Sequence, residues 1–208
     1  IHELGHGLAA IITGGRFINF VVNPDGSGLA YTAGGLRFIV IPAGYLSVAL
    51  FGAGLIILGR SHRWARLALG VIGGGMLLLS LRYGVPSIFS QHMFSGILTT
   101  VSGVLLGALF LWVALKTSSS WVIFMIHLVA IQAGLTAFSD LFVVIGLSLG
   151  SSRPNDAQSM AQLTFIPAIV WALVWVVIAF ALLGWAIWIT WLAPSKQITD
   201  DELLTPNY

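Results

Sequence analysis

Apolar side chains run through this chain in long blocks rather than in strict alternation. Nearly uncharged stretches cover about residues 36–59, 64–81, 94–115, 121–149 and 163–193. A helix needs roughly 20 apolar residues to cross a hydrocarbon core about 30 Å thick, and these blocks supply that length. A shorter apolar helix opens the chain as "HELGHGLAAII" and ends near Gly14-Gly15. Between it and the first long block, "RFINFVV" and "GLAYT" have strand composition and flank Pro24-Asp25-Gly26, a turn sequence. The pattern predicts an all-α integral membrane protein: a bundle of about six transmembrane helices with a short β-hairpin after the first. One transmembrane domain is expected over residues 1–193, its first helix truncated at the N-terminus, followed by a polar tail over 194–208.

Composition agrees. Of 208 residues, 58% are apolar and 8% charged, and the mean hydropathy of +0.98 lies outside the soluble range. A formal charge of +2 excludes a nucleic-acid footprint. With no cysteine, neither a disulfide framework nor a thiolate metal site is available. Basic residues divide into Arg16, Arg37, Arg82 and Arg153 on the side where the first helix ends, and Arg60, Arg63, Arg66, Lys116 and Lys196 on the other. The denser cluster, "GRSHRWAR", favours the cytoplasm for its side. Arg82 reads as a headgroup anchor, and the run Gly73-Gly74-Gly75 as a close-packing face.

Against this background the opening residues stand out. His2 and His6 are four apart, so on a helix both imidazoles project from one face and can meet a single cation about 2.0–2.1 Å from each nitrogen. Glu3 then sits beside the cation without binding it, placed to accept a proton from a water held there. By chance this His-Glu-x-x-His spacing arises in about one in a thousand sequences of such composition. A buried glutamate also costs about 2.5–3.5 kcal/mol to insert in a membrane helix, which argues for a task.

A catalytic zinc site uses three protein ligands and leaves one position open, so a third is needed. Past Glu3 the only other glutamate is Glu202, in the tail. His62 falls in the basic loop on the far side, His92 reads as interfacial, and His127 either lines the site or, the favoured reading, bonds to a neighbouring helix. Aspartates remain, and outside the tail, which holds Asp200 and Asp201, three are within reach. Asp25 belongs to the hairpin turn. Asp140 lies inside the fifth block at a depth of roughly 13 Å, close to the roughly 10 Å expected of His6. Asp156 opens a final segment too long for one straight span, which Pro167 can break so that its first part folds back into the bundle.

Taken in order, "HELGHGLAAIITGG", "NPDGSGLAYT", "PAGYLSVALFGAGLI" and "NDAQSMAQLTFIPAIVWALVW" resemble the bacterial and plastid branch of the site-2 protease family of intramembrane zinc metallopeptidases. The resemblance runs from residue 2 to about residue 180. It implies that His2 and His6 bind Zn2+, that Glu3 is the general base, and that a late aspartate completes the site. That aspartate stands in a Ser-Asp-Ala-like motif, which "NDA" at 155–157 resembles more than "SDL" at 139–141. The third ligand is therefore assigned to Asp156, with Asp140 second and Asp25 third. The "NPDG" letters that mark the late motif elsewhere in the family fall here in the hairpin.

The implied activity is hydrolysis of a peptide bond in a membrane-embedded or membrane-proximal protein substrate, within a bacterial inner membrane or a plastid or thylakoid membrane. The hairpin, with Asn23, Gly26, Ser27 and Gly28, offers an edge on which an extended substrate segment can pair. Two readings without proteolysis compete: an inactive scaffold or subunit of a larger membrane complex, and a metal transporter. An intact Glu3 argues against decay, and polar groups gathered near one end argue against a conduction path.

Overall fold

The computed structural model describes residues 1–22, 28–89, 93–150 and 155–193. Helix α1 (His2–Ile12) leads into an antiparallel hairpin of β1 (Arg16–Val22) and β2 (Gly28–Ala33), then into α2 (Arg37–Leu58) and α3 (His62–Leu79). A π-helical turn at Ser80–Gly84 joins α3 to a short α4 (Val85–Ile88), followed by α5 (Met93–Lys116) and α6 (Ser119–Gly150). Helices α7 (Asp156–Thr164) and α8 (Ala168–Ile187) follow, with a last π-helical turn at Trp188–Leu192.

Among the described residues, five helices are long and apolar enough to cross a bilayer: Arg37–Leu58, His62–Gly84, Gly96–Lys116, Ser119–Ser139 and Ala168–Leu192. About six spans were expected. The difference is α1, whose 11 residues reach roughly 16 Å at 1.5 Å per residue, about half a hydrocarbon core. The stretch from Asp156 onward breaks at Pro167, as the sequence allows: Phe165 takes a left-handed conformation (φ 62°) at the C-cap of α7, and Pro167 caps the start of α8. The tail from residue 194, together with Asn23, Asp25, Gly26, Ser27 and His92, lies outside the described residues.

Helix α1 stops for a reason written in "ITGG". Gly14 adopts φ 85°, its N–H donates to Ile11, and the N–H of Gly15 reaches back to the carbonyl of Ala10. This is a Schellman closure, which satisfies carbonyls that a helix end leaves without partners. Thr13 ties the next connection to it, its hydroxyl donating to the Ala9 carbonyl at 2.7 Å while accepting from the N–H of Leu36 at 3.0 Å. The chain entering α2 is thereby fixed against the chain leaving α1.

Helix α2 is central, touching α1, α6, α7 and α8, whereas α3 packs chiefly on α5. Alanines fill many of the helix contacts: Ala10, Ala49, Ala65, Ala157, Ala172 and Ala186 have no measurable exposure. Leu78, Leu105, Phe142 and Val177 point outward. That inversion suits a bilayer, where lipid tails solvate large apolar groups and small residues let helices approach closely. Gly73 shows the approach directly, because a Cβ there would stand 2.8 Å from the carbonyl oxygen of Gly107 on α5. Gly74 and Gly75 meet nothing, so only the first of the three glycines is a packing residue.

Candidate metal centre

Helix α1 presents His2 and His6 one turn apart toward α2 and α7, and Asp156, the first residue of α7, faces them. The His2 and His6 Nε2 atoms are 3.0 Å apart, and each is 3.2 Å from Oδ2 of Asp156. Three ligand atoms from residues up to 154 positions apart thus form a nearly equilateral triangle. Among the described residues, this is the group of histidine and acidic side chains close enough to share a metal ion.

The donor set fits zinc on three counts. Tetrahedral bonds of about 2.0–2.1 Å put ligand atoms about 3.3–3.4 Å apart, within a few tenths of an ångström of the triangle seen. Nδ1 of His6 lies 2.7 Å from the carbonyl oxygen of Val40 on α2. A carbonyl only accepts, so Nδ1 carries the proton and a neutral His6 turns the bare lone pair of Nε2 toward the cluster, the outer bond typical of metal-binding histidines. Finally, Gly44 on α2 leaves room: a Cβ there would come within 2.4 Å of His6 Nε2 and 2.5 Å of His2 Nε2. Any larger residue would occupy the space beside the ligand atoms.

Close approach of α1 to α2 makes this possible. Gly5 faces Ser47 and the Ala43 carbonyl so tightly that a Cβ would stand 2.2 Å from the Ser47 hydroxyl. The ring of His2 stands edge-on to Tyr45 at 4.4 Å between centroids. Tyr45 in turn stacks at 5.5 Å on Trp175 of α8, which is 1% exposed. Helix α7 is fixed at both ends. Asn155 is its N-cap, accepting the N–H of Gln158 at 2.9 Å, a bond that aligns the first turn on which Asp156 rides. At the other end, Trp171 of α8 donates its indole N–H to the Thr164 hydroxyl at 2.9 Å.

A cavity of about 640 Å3 opens beside the triangle, lined among others by Glu3, Ala30, Thr32, Arg37 and Tyr45. Ala30 and Thr32 are two apart on β2, so one face of that strand borders the cavity. Of the substrate-binding residues expected from sequence, Gly28 opens β2 opposite Val22; Asn23, Gly26 and Ser27 lie outside the described residues. Asp140 lies on α6, its side chain outside the described ones. His127 donates from Nδ1 to the Ile123 carbonyl of its own helix at 2.8 Å, so its bond is intrahelical rather than to a neighbour. Arg82 lies 5.1 Å over the Tyr83 ring.

Gly44, Val40, Tyr45, Trp175 and the capping role of Asn155 were not foreseen. No sequence signal separates Gly44 from Gly52 or Gly54 in the same block, because what distinguishes it is the pair of imidazoles on another helix. The Asn155 cap was readable, since asparagine before a helical segment is a common N-cap.

A family model described as Peptidase M50B-like matches residues 1–186. Comparison with curated proteins and with solved structures returned no match.

Proposed function

The chain belongs to the Peptidase M50B-like family, and from that premise we propose that it is an intramembrane zinc metalloprotease cleaving membrane-embedded or membrane-proximal protein substrates. The observation that carries the reading is the His2–His6–Asp156 triangle with its edges of 3.0–3.2 Å next to a glutamate-lined cavity.

In this reading His2, His6 and Asp156 hold Zn2+, and the Val40 carbonyl keeps the His6 ring in its tautomer and plane. When bound, such a cation contributes Lewis-acid chemistry, acidifying a water and polarising a carbonyl. Glu3, one residue from a ligand and lining the same cavity, takes the proton of the attacking water and delivers it to the departing amine. Burial of the site among α1, α2 and α7 limits water to the amount the cavity admits. A substrate helix has its carbonyls hydrogen-bonded and must be extended before attack. The β2 strand borders the cavity with Ala30 and Thr32 and offers backbone groups on which an extended segment pairs, with Gly28 at the start of β2 and, in the sequence before it, Asn23, Gly26 and Ser27 as the clamp.

The test is reconstitution of the zinc-loaded chain into vesicles with a single-span polypeptide and measurement of its cleavage beside Glu3→Gln. The proposal expects cleavage by the native chain and none by Glu3→Gln, with zinc retained in both. Equal cleavage by both would remove Glu3 as the base, and zinc binding without cleavage of any membrane substrate would favour a scaffold.

A further inference from the structure

At the end of α2 away from the metal centre, α2 and α3 splay apart around a second cavity, of about 360 Å3. Its walls are apolar throughout and include Phe51, Leu58, Trp64, Leu67 and Val71. Gly54 lies on its α2 side, and a Cβ there would meet no atom within 4 Å, so a side chain at that position would enter open space. From Phe51 to Leu58 it runs roughly 10 Å along the helix axis. Being parallel to helices that cross the bilayer, it is oriented as lipid chains are.

The mouth of this groove, between Leu58 and Trp64, is the α2–α3 turn, and it is basic. Arg60 and Arg63 are exposed there, and no ion pair is found for either among the described residues. Arg66 is different: its guanidinium donates to the carbonyls of Ala114 and Thr117 at 2.7 and 3.0 Å, capping the end of α5. Two arginines are thus left for an outside anion, beside an exposed tryptophan of the kind that sits at headgroup level. The α3 N-cap, Ser61, makes no side-chain hydrogen bond to the first turn, which leaves that positive helix end to the same anion.

We propose that this groove is a binding site for an anionic phospholipid, one acyl chain lying between α2 and α3 and the phosphate held by Arg60 and Arg63. Charge complementarity selects the occupant: a partner helix would satisfy the apolar walls but leave two arginines unanswered, whereas a phospholipid satisfies both with one molecule. Basic pockets between membrane helices bind anionic headgroups on this physical ground.

The experiment is native mass spectrometry of the full chain in detergent, titrated with phosphatidylglycerol or with phosphatidylcholine bearing the same acyl chains. One phosphatidylglycerol per chain is expected to be retained about twenty-five-fold more tightly than phosphatidylcholine, roughly fivefold for each arginine. Arg60→Gln/Arg63→Gln should abolish that preference. Gly54→Leu should displace both lipids by filling the groove, and Arg66→Gln should keep the preference. Equal retention of the two lipids, a preference that survives the double variant, or an equal loss in Arg66→Gln would overturn the proposal. So would a lipid-free dimer of the chain that Gly54→Leu dissociates, which would make the groove an interface between copies.

Discussion

His6 and His127 are histidines within helices, each using Nδ1 to donate to a backbone carbonyl, yet they are built for different ends. The carbonyl that His6 engages belongs to Val40, on another helix and 34 residues away; the one His127 engages belongs to Ile123, four residues back on its own helix. Nε2 of His6 faces two further ligand atoms across the gap left by Gly44. Nε2 of His127 faces Gly59, where a Cβ would stand 2.9 Å away, and its ring stacks on Trp191 at 5.7 Å. About 22 Å of α2 separates Gly44 from Gly59. A histidine becomes a candidate ligand when a cross-helix bond fixes its ring and other donors converge on its free nitrogen. An intrahelical bond with aromatic stacking makes it a packing residue.

That contrast can be broken from either side. The largest effect is expected from Asp156→Ala, which removes one corner of the triangle: zinc content should fall to background by elemental analysis, and cleavage with it. Gly44→Ala should come close behind, because its methyl would lie within 2.5 Å of both Nε2 atoms and must displace either the rings or the ion; a dialysis titration with zinc reads the loss. Glu3→Gln should keep zinc while cleavage falls by about 10²–10⁴-fold. Smaller still, Asn155→Ala removes the α7 cap, costing about 1 kcal/mol of stability, and loosens the aspartate, so zinc affinity should weaken about tenfold. Smallest is His127→Phe, expected to leave zinc content and cleavage unchanged while shifting Tm by a few degrees; a zinc deficit in this variant would erase the contrast.

How much of the site was legible depended on whether the information was local. His2, Glu3 and His6 lie within one helical turn and a half, and their spacing alone states their geometry. Asp156 was not legible from depth, since counting 1.5 Å per residue along straight spans favours Asp140. The chain instead turns back at Phe165 and Pro167, so that α7 approaches the histidines as a separate short helix; the Pro167 break made that approach readable, and the resemblance of the "NDA" motif chose Asp156 over Asp140. The spanning helices were legible because bilayer thickness sets their length, and the hairpin because Pro-Asp-Gly punctuates two strand-like runs. Gly44 was not, because nothing local distinguishes a glycine facing two imidazoles from one facing lipid. Tyr45 and Trp175 support His2 through contacts 130 residues apart in sequence, which periodicity does not encode.

The measurement closest to the central claim is the zinc content of the purified native chain beside Asp156→Ala and His127→Phe under metal-replete conditions. Near one zinc per chain in the native protein and in His127→Phe, with none in Asp156→Ala, is the predicted result. Zinc retained by Asp156→Ala, or absent from the native chain, would contradict it.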